Sequence, residues 1–350
     1  MRPIEAGILG GTGMVGQHFI RFLQGHPWFK LTWLGASDRS AGKKLKDATP
    51  WRLDGEMPAS AAEIMVSDSK PGHAPRLVFS AMDASVATEI EREFAQAGHV
   101  VVSNSRNHRM EPDVPLIVPE VNPGHLSLLP VQRQNRHWPG MIVTNPNCST
   151  VVLSMALAPL RPFGLERVLA VTMQAVSGAG YPGVPSMDVV GNVIPFIGSE
   201  EEKMQQETQK ILGDVEDGKA APLKVRVSAH CHRVAVVDGH MVAASIEFST
   251  KPDLDEVRNA IESFCGLPQK RGLPSAPVKP IVYMPQQDRP QPRRDAEREN
   301  GMAVFVGRLR ECPVLDVKFV ACGHNTIRGA AGAAVLNAEL MVSEGLFDQT

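Results

Sequence analysis

The chain has 350 residues, 43% of them hydrophobic and 21% charged, which is enough for two domains with separate cores and argues against extended disorder. A net charge of -2 gives no electrostatic reason to seek nucleic acid or an anionic membrane, and no apolar run approaches the roughly 18 residues of a membrane-spanning helix. Cys148, Cys231, Cys265, Cys312 and Cys322 form no CxxC pair, so neither a disulfide framework nor a metal site is expected, and a reducing cytoplasm is.

From the N-terminus, residues 4–9 predict a β-strand and 14–24 a helix, and a secretory signal's apolar stretch is not expected ahead of them. Between them run Gly10, Gly11, Thr12, Gly13, Met14, Val15 and Gly16. The glycines at 11, 13 and 16 form GxGxxG between a strand and a helix, where a backbone can approach a dinucleotide's pyrophosphate. Residues 31–36 predict the second strand, which ends without the acid expected for NAD. Ser37, Asp38, Arg39, Ser40, Lys43 and Lys44 follow, and their hydroxyls and cations suit the 2′-phosphate of NADP. A plain solvated basic loop is the competing reading. Residues 77–80, 100–103 and 141–144 predict short buried strands, with a helix over 89–97. This alternation predicts an α/β fold, with an N-terminal Rossmann-like parallel sheet.

Beyond residue 159 the pattern changes. Residues 165–175, 224–228, 233–237, 241–248, 303–310 and 314–320 are alternating or β-branched runs, which predict an α+β domain with a mainly antiparallel sheet. Helices are expected over 199–212 and 254–264, a loop over 286–300, and a last apolar helix over 330–346 that can return to either domain. Cys148 follows Asn147 at the start of an apolar helix, where the dipole and free N–H groups favour a thiolate; a small buried hydrophobe is the alternative. Residues 233–240 read as a strand, an Asp238-Gly239 turn and a return strand. In such a hairpin Arg233 and His240 project to one face, a guanidinium for a carboxylate beside an imidazole for protons. A histidine merely exposed past a turn is the alternative. Ser199 and Glu202 predict a capping box. Lys203 is either an anion ligand or a surface lysine, and Arg109 follows a strand end where open sheets bind ligands.

The ordered set of segments resembles the aspartate-β-semialdehyde dehydrogenases, particularly their archaeal and fungal branch. It comprises the glycine loop, residues 36–44, 103–109 and 114–122, Thr144 to Thr150, Gln174 to Gly180, Glu200 to Lys203, Arg233 to His240, and His324 to Gly332. The resemblance implies an NADP-binding domain over 1–147 completed by a helix at 330–350, and a catalytic and dimerisation domain over 148–329. It implies Cys148 as nucleophile, His240 as acid/base and Gln174 orienting the reacting group. Arg233 and Glu200 match the groups that hold the substrate's α-carboxylate and amino group, and Arg109, Asn147 and Lys203 those that bind phosphate. Residues 10–16, Ser37, Arg39, Ser40, Ser80, Ser177, Gly178 and Asn337 match cofactor contacts. A homodimer or homotetramer follows from the same resemblance. Ala235 stands where these enzymes usually carry proline, a difference of strand stiffness and not of chemistry. The implied reaction is reduction of β-aspartyl phosphate by NADPH through a cysteine thioester. A malonyl-CoA reductase using the same thioester, or a silent NADP-binding scaffold, are the competing functions.

Overall fold

The computed structural model describes residues 3–347; residues 1, 2 and 348–350, the outer ends of the two stretches expected to form the cofactor domain, lie outside it. Strands β1 (Ile4–Leu9), β2 (Phe29–Ala36), β3 (Val66–Asp68), β4 (Leu77–Ser80), β5 (Val100–Ser103) and β6 (Met141–Thr144) form one sheet. Their order is β3-β2-β1-β4-β5-β6 and every pairing is parallel. The order reverses beside β1, so a crevice opens at the end of β1 where the glycine loop begins.

Alternation along the strands sorts their side chains to two faces. Leu77 and Phe79, Val100 and Val102, and Met141 and Val143 join one core with Phe19 and with Val335 and Leu336. Val78, Val101 and Ile142 join a second core with Phe94. The last helix, Gly332–Ser343, is buried over most of its length, Asn337 and Glu339 included, and its Val335, Leu336 and Leu340 return it to this sheet.

The second half contributes β7 (Leu165–Gln174) and β8 (Val193–Ile194), a small hairpin of β9 (Asp214–Glu216) and β10 (Lys219–Ala221), then β11 (Arg226–Val234), β12 (His240–Phe248), β13 (Ile281–Met284), β14 (Val304–Glu311) and β15 (Val317–Gly323). Seven of these form a sheet in the order β13-β14-β15-β12-β7-β11-β8. It is mixed: β7–β11 and β13–β14 are parallel and the remaining neighbours antiparallel. Helices Cys148–Leu157, Glu200–Ile211 and Leu254–Ser263 pack Val151, Leu153, Met204, Ile211, Val257 and Ile261 into its core. On the other side β7 turns Leu169 and Val171 outward, 47% and 39% exposed.

Several expectations are corrected. Residues 233–240 do not form a hairpin, because β7 lies between β11 and β12 and pairs with both. The runs at 224–228 and 233–237 are parts of one interrupted pattern, and β11 is continuous from Arg226 to Val234. Ser199 makes no capping box. Its φ of +56° turns the side chain away from the helix, and its hydroxyl accepts from Arg106 at 3.0 Å instead. The stretch 286–300 is not all loop, since Pro292–Asp295 closes one helical turn around Asp295, which is buried among Arg289, Arg298 and the N–H of Gln291. The helix expected over 89–97 begins earlier, at Ala84, because the Asp83 carboxylate caps it through Ser85 N–H at 2.8 Å.

Candidate active site

The glycine loop is shaped by contacts that no side chain tolerates. Gly10 has φ +74°, a Cβ on Gly16 would stand 2.4 Å from the Gly10 carbonyl oxygen, and one on Gly11 would stand 2.7 Å from Leu34. These approaches bring the Met14–Leu23 helix down onto β1 and β2. Gly13 is its N-cap and offers no side-chain hydrogen bond, so the first N–H groups are left for an anion such as a pyrophosphate. That uncapped terminus, on a loop with no room for side chains at its bends, fits a dinucleotide. Ser37 and Arg39 are exposed and Ser40 half-buried just past β2, a place for the ribose end. Lys44 is taken by Glu63 at 2.6 Å.

Two expected cofactor positions present less than their side chains promise. Ser80 is buried with its hydroxyl donating to Glu91 at 2.6 Å. Asn337 is buried behind Asn145, to which its amide donates at 2.6 Å.

Cys148 opens a helix whose N-cap, Asn147, accepts from the N–H groups of Ser149 and Thr150 at 3.0 and 3.2 Å. The Cys148 sulfur lies 3.1 Å from Nε2 of His240. Sheet order explains how His240 gets there. Arg233 on β11 pairs with Gln174 on β7, and Met241 on β12 pairs with Met173, so His240 is next in line with Gln174. Three polar residues therefore share one row across three strands and one face, although 59 and 7 positions separate them along the chain. The Gln174 amide donates to Ser149, the residue after the nucleophile position, at 3.1 Å and to Thr172 at 3.3 Å. Gly178 roofs the row: a Cβ there would stand 2.8 Å from the Arg233 guanidinium and 3.1 Å from His240 Nε2. Neighbouring Ser177 is held by Asn325, which also accepts from Gly239 N–H.

Electrostatics follow from burial. Burial first, then Arg233, push the His240 imidazole down to about 3. Burial and then Glu200 push the Cys148 thiol up to about 12, against Lys203, Arg233 and Arg109. Burial works against the Glu200 charge as well, but Lys203 at 2.5 Å, Asn147 at 2.7 Å and the nearby His240 outweigh it, and the carboxyl lies below its ordinary value. Arg109 donates to Glu207 at 2.9 Å and to the Asn104 carbonyl at 2.7 Å, and the second Glu207 oxygen accepts from Asn147 N–H at 2.6 Å.

Of these groups Cys148, Asn147, Arg109 and Lys203 line a cleft of about 330 Å³ between the two sheets, whereas Gln174, Arg233, His240, Glu200 and Glu207 do not. Met14 and Val15 line it from the glycine loop, Arg109 and Lys203 from the cationic side, and Cys148, Ser177 and Gly178 from the reactive side. Ser37, Arg39, Ser40, Ser80 and Asn337 are outside that lining, as are Gly10 to Gly13 and Gly16. Sequence reasoning assigned no role to Glu207, nor to Asn325 and Gly329, although these two lie in the segment His324 to Gly332 that carries the resemblance. Glu207 follows Lys203 by four residues on one helix, but Lys203 pairs with Glu200 and the partners of Glu207 come from distant segments. The contact of Gly329 was not foreseeable: it belongs to the π-helical turn Ile327–Ala331 and packs against Cys148, whose Cβ would be 2.6 Å from a Cβ added there.

Comparison with known proteins gives the family and the fold. The family profile described as "Semialdehyde dehydrogenase, NAD binding domain" matches residues 5–129, and "Semialdehyde dehydrogenase, dimerisation domain" matches residues 157–328. An aspartate-semialdehyde dehydrogenase of Methanothermobacter thermautotrophicus is 51% identical over 97% of this chain and 99% of its own. That of Saccharomyces cerevisiae is 46% identical over 97% and 98%. The crystal structure of the Candida albicans enzyme with NADP superposes with a TM-score of 0.91 at 42% identity, covering 98% of this chain and 99% of that one.

Proposed function

The chain belongs to the aspartate-semialdehyde dehydrogenase family, and we propose that it performs the family's reaction through a thioester on Cys148. That reaction is the NADP-dependent reductive dephosphorylation of L-β-aspartyl phosphate to L-aspartate-β-semialdehyde, a step in lysine, threonine and methionine biosynthesis. The observation that carries the reading is the Cys148 sulfur 3.1 Å from His240, at a helix N-terminus in the cleft that reaches the glycine loop.

Cys148 attacks the acyl carbon and phosphate leaves. Bound NADPH supplies the hydride that takes the thioester to the aldehyde. His240 occupies the family's acid/base position beside sulfur and developing oxyanion, and Gln174 steadies the turn through Ser149. Arg233 holds the α-carboxylate and Glu200 the amino group, while Arg109, Lys203 and Asn147 form the phosphate side. Residues 10–16, Ser37, Arg39, Ser40, Ser177 and Gly178 receive the cofactor, with Ser80 contributing main chain and Asn337 acting from behind Asn145. NADP as the cofactor is supported by the Candida albicans structure and by Arg39, which stands exposed past β2.

The division at 147/148, with the last helix returning to the first sheet, is supported by the separate cores. Assembly as a homodimer or homotetramer is supported by the dimerisation-domain match and by the open face carrying Leu169 and Val171. Among the described residues no helix is long and apolar enough to cross a membrane, and all five cysteines are free, which supports a cytoplasmic setting.

The test is phosphate-dependent oxidation of L-aspartate-β-semialdehyde with NADP, followed as NADPH absorbance, beside malonate semialdehyde with CoA. Turnover of the aspartyl substrate that is lost in Cys148→Ser is expected. Turnover of the rival pair alone would keep the thioester and overturn the substrate, since a malonyl group leaves Glu200 without an amino partner.

A further inference from the structure

Lys210 carries an ammonium out of reach of solvent, with 2% of the residue exposed. Its Nζ donates to the main-chain carbonyls of Arg109, Glu111 and Val114 at 2.7, 2.7 and 2.8 Å. An ammonium has three N–H donors and no acceptor, so each donor finds one carbonyl and three dipoles face the charge. A neutral amine would turn its lone pair on one of the three. Burial opposes the charge and pulls the group down to about 8, against Glu111 and Asp113 from the facing loop and Glu207 from the same helix. His125, on the turn Pro123–Ser127, is the other titratable neighbour, itself pushed down by burial and further by Lys210.

The three carbonyls belong to the segment that follows β5, in which residues 104–114 form neither helix nor strand. Its internal main-chain bonds are few and long: Arg109 N–H to Arg106, Glu111 N–H to His108 and Val114 N–H to Glu111, at 3.3, 3.2 and 3.3 Å. Such a loop needs partners from outside to keep its shape. The helix Glu200–Ile211 supplies them at Arg109. Glu207 takes the guanidinium, and Lys210, three residues on and on the same face, takes the carbonyl. Arg109 is thus held at both ends by one helix, and Lys203 of that helix lines the same cleft. We propose that Lys210 is the positioning residue of the phosphate side, the hub that shapes residues 104–114 so that Arg109 is already set relative to Lys203 when phosphate arrives. Lys210 itself touches no substrate. This deepens the proposed function and rests on Arg109 and Lys203 being phosphate ligands. Without the ammonium, three carbonyls lose their donor and the anion must order the loop itself. The cost then falls on phosphate affinity and not on the chemistry at Cys148.

The test is steady-state kinetics in the phosphate-dependent direction with Lys210→Met, which keeps most of the stem and removes all three donors. The KM for phosphate should rise about tenfold. The kcat at saturating phosphate and the KM for L-aspartate-β-semialdehyde should stay within about twofold of wild type. A lysine serving general stability alone would leave the phosphate KM of the folded variant unchanged. That result overturns the inference, as does a semialdehyde KM raised in the same proportion. If Lys210→Met does not fold, Lys210→Gln, which keeps donors for two of the carbonyls, is measured in the same way and a smaller rise is expected. A wild-type phosphate KM in that variant overturns the inference. So does failure of both variants to fold, since the lysine then serves the whole domain. Arg109→Gln separates this from the underlying reading. An unchanged phosphate KM there sinks the assignment of the phosphate side, whereas a raised one beside an unchanged Lys210→Met sinks the role of Lys210 alone.

Discussion

The two sides of the cleft are built on different principles. The cofactor side is a main-chain surface: Gly10 and Gly16 bring backbone close to backbone, Gly11 lies against the Leu34 side chain, and Ser37 and Arg39 stand in solvent. The reactive side is a buried polar lattice in which almost every group has two employments. Glu207 serves both Arg109 and Asn147, Asn147 both caps the Cys148 helix and donates to Glu200, and Ala175 serves both His240 and Arg233. Side chains on the first side should act almost independently, and those on the second should fail together.

The largest effect should come from removing a shared partner. Glu207→Ala leaves the buried Arg109 guanidinium without its carboxylate and Asn147 N–H without its acceptor. Loss of one member of a buried ion pair costs about 3–5 kcal/mol, and urea unfolding should report it together with a raised KM for phosphate. Stability within ~0.5 kcal/mol of wild type would break the picture of a coupled lattice. Next is Gly178→Val, whose Cβ meets both Arg233 and His240. A displacement of that kind costs on the order of 10²-fold in kcat/KM, whereas the melting temperature should fall less than in Glu207→Ala, because Gly178 is itself exposed and no buried ion pair is broken. Arg39→Ala sharpens the contrast from the other side. Loss of one exposed charged hydrogen bond should weaken NADPH binding about tenfold and leave NADH binding unchanged, with no effect on the Cys148 alkylation rate.

The same difference governs what could be read in the sequence. The glycine loop, the acid-free end of β2 and the strands at 77–80, 100–103 and 141–144 are local patterns, and each is found at the positions expected. The second sheet resisted because its neighbours are not consecutive. Asp238-Gly239 has the composition of a tight hairpin turn, yet β7, some 60 residues earlier in the chain by the Gln174–Arg233 pairing, takes the place between β11 and β12. Hydrophobic alternation tells a strand which face to bury, not which strand to lie beside. Gln174 was therefore recognisable from resemblance alone, and its place in line between Arg233 and His240 was not. The contacts of Glu207, Asn325 and Gly329 went unread for a related reason, since their partners come from distant segments.

The smallest expected effect compares one buried glutamate from each side. Glu91, beneath Ser80 and Ser103, is held above its ordinary value by burial, which the serine hydroxyls, His108 and Arg109 do not offset. Glu200 is shifted the other way, because Lys203 and Asn147 outweigh its burial. The signs then differ. For Glu91 the unfolded chain releases its proton first, so stability falls as pH rises from the ordinary carboxyl value of 4.5 through the folded one. For Glu200 the folded chain releases first, so its contribution is present above 4.5 and is lost as pH falls through the folded value. Urea unfolding of Glu91→Gln and Glu200→Gln against wild type, in steps from acid to pH 8, should give difference curves of opposite slope. Glu91→Gln should gain on wild type as pH rises, since its amide oxygen still accepts from both serines while no charge is buried. Glu200→Gln should match wild type in acid and fall behind above it, since Lys203 loses its partner. Curves of the same slope would mean that the two sides bury charge on the same terms, and the distinction between a main-chain surface and a polar lattice would lose its energetic meaning.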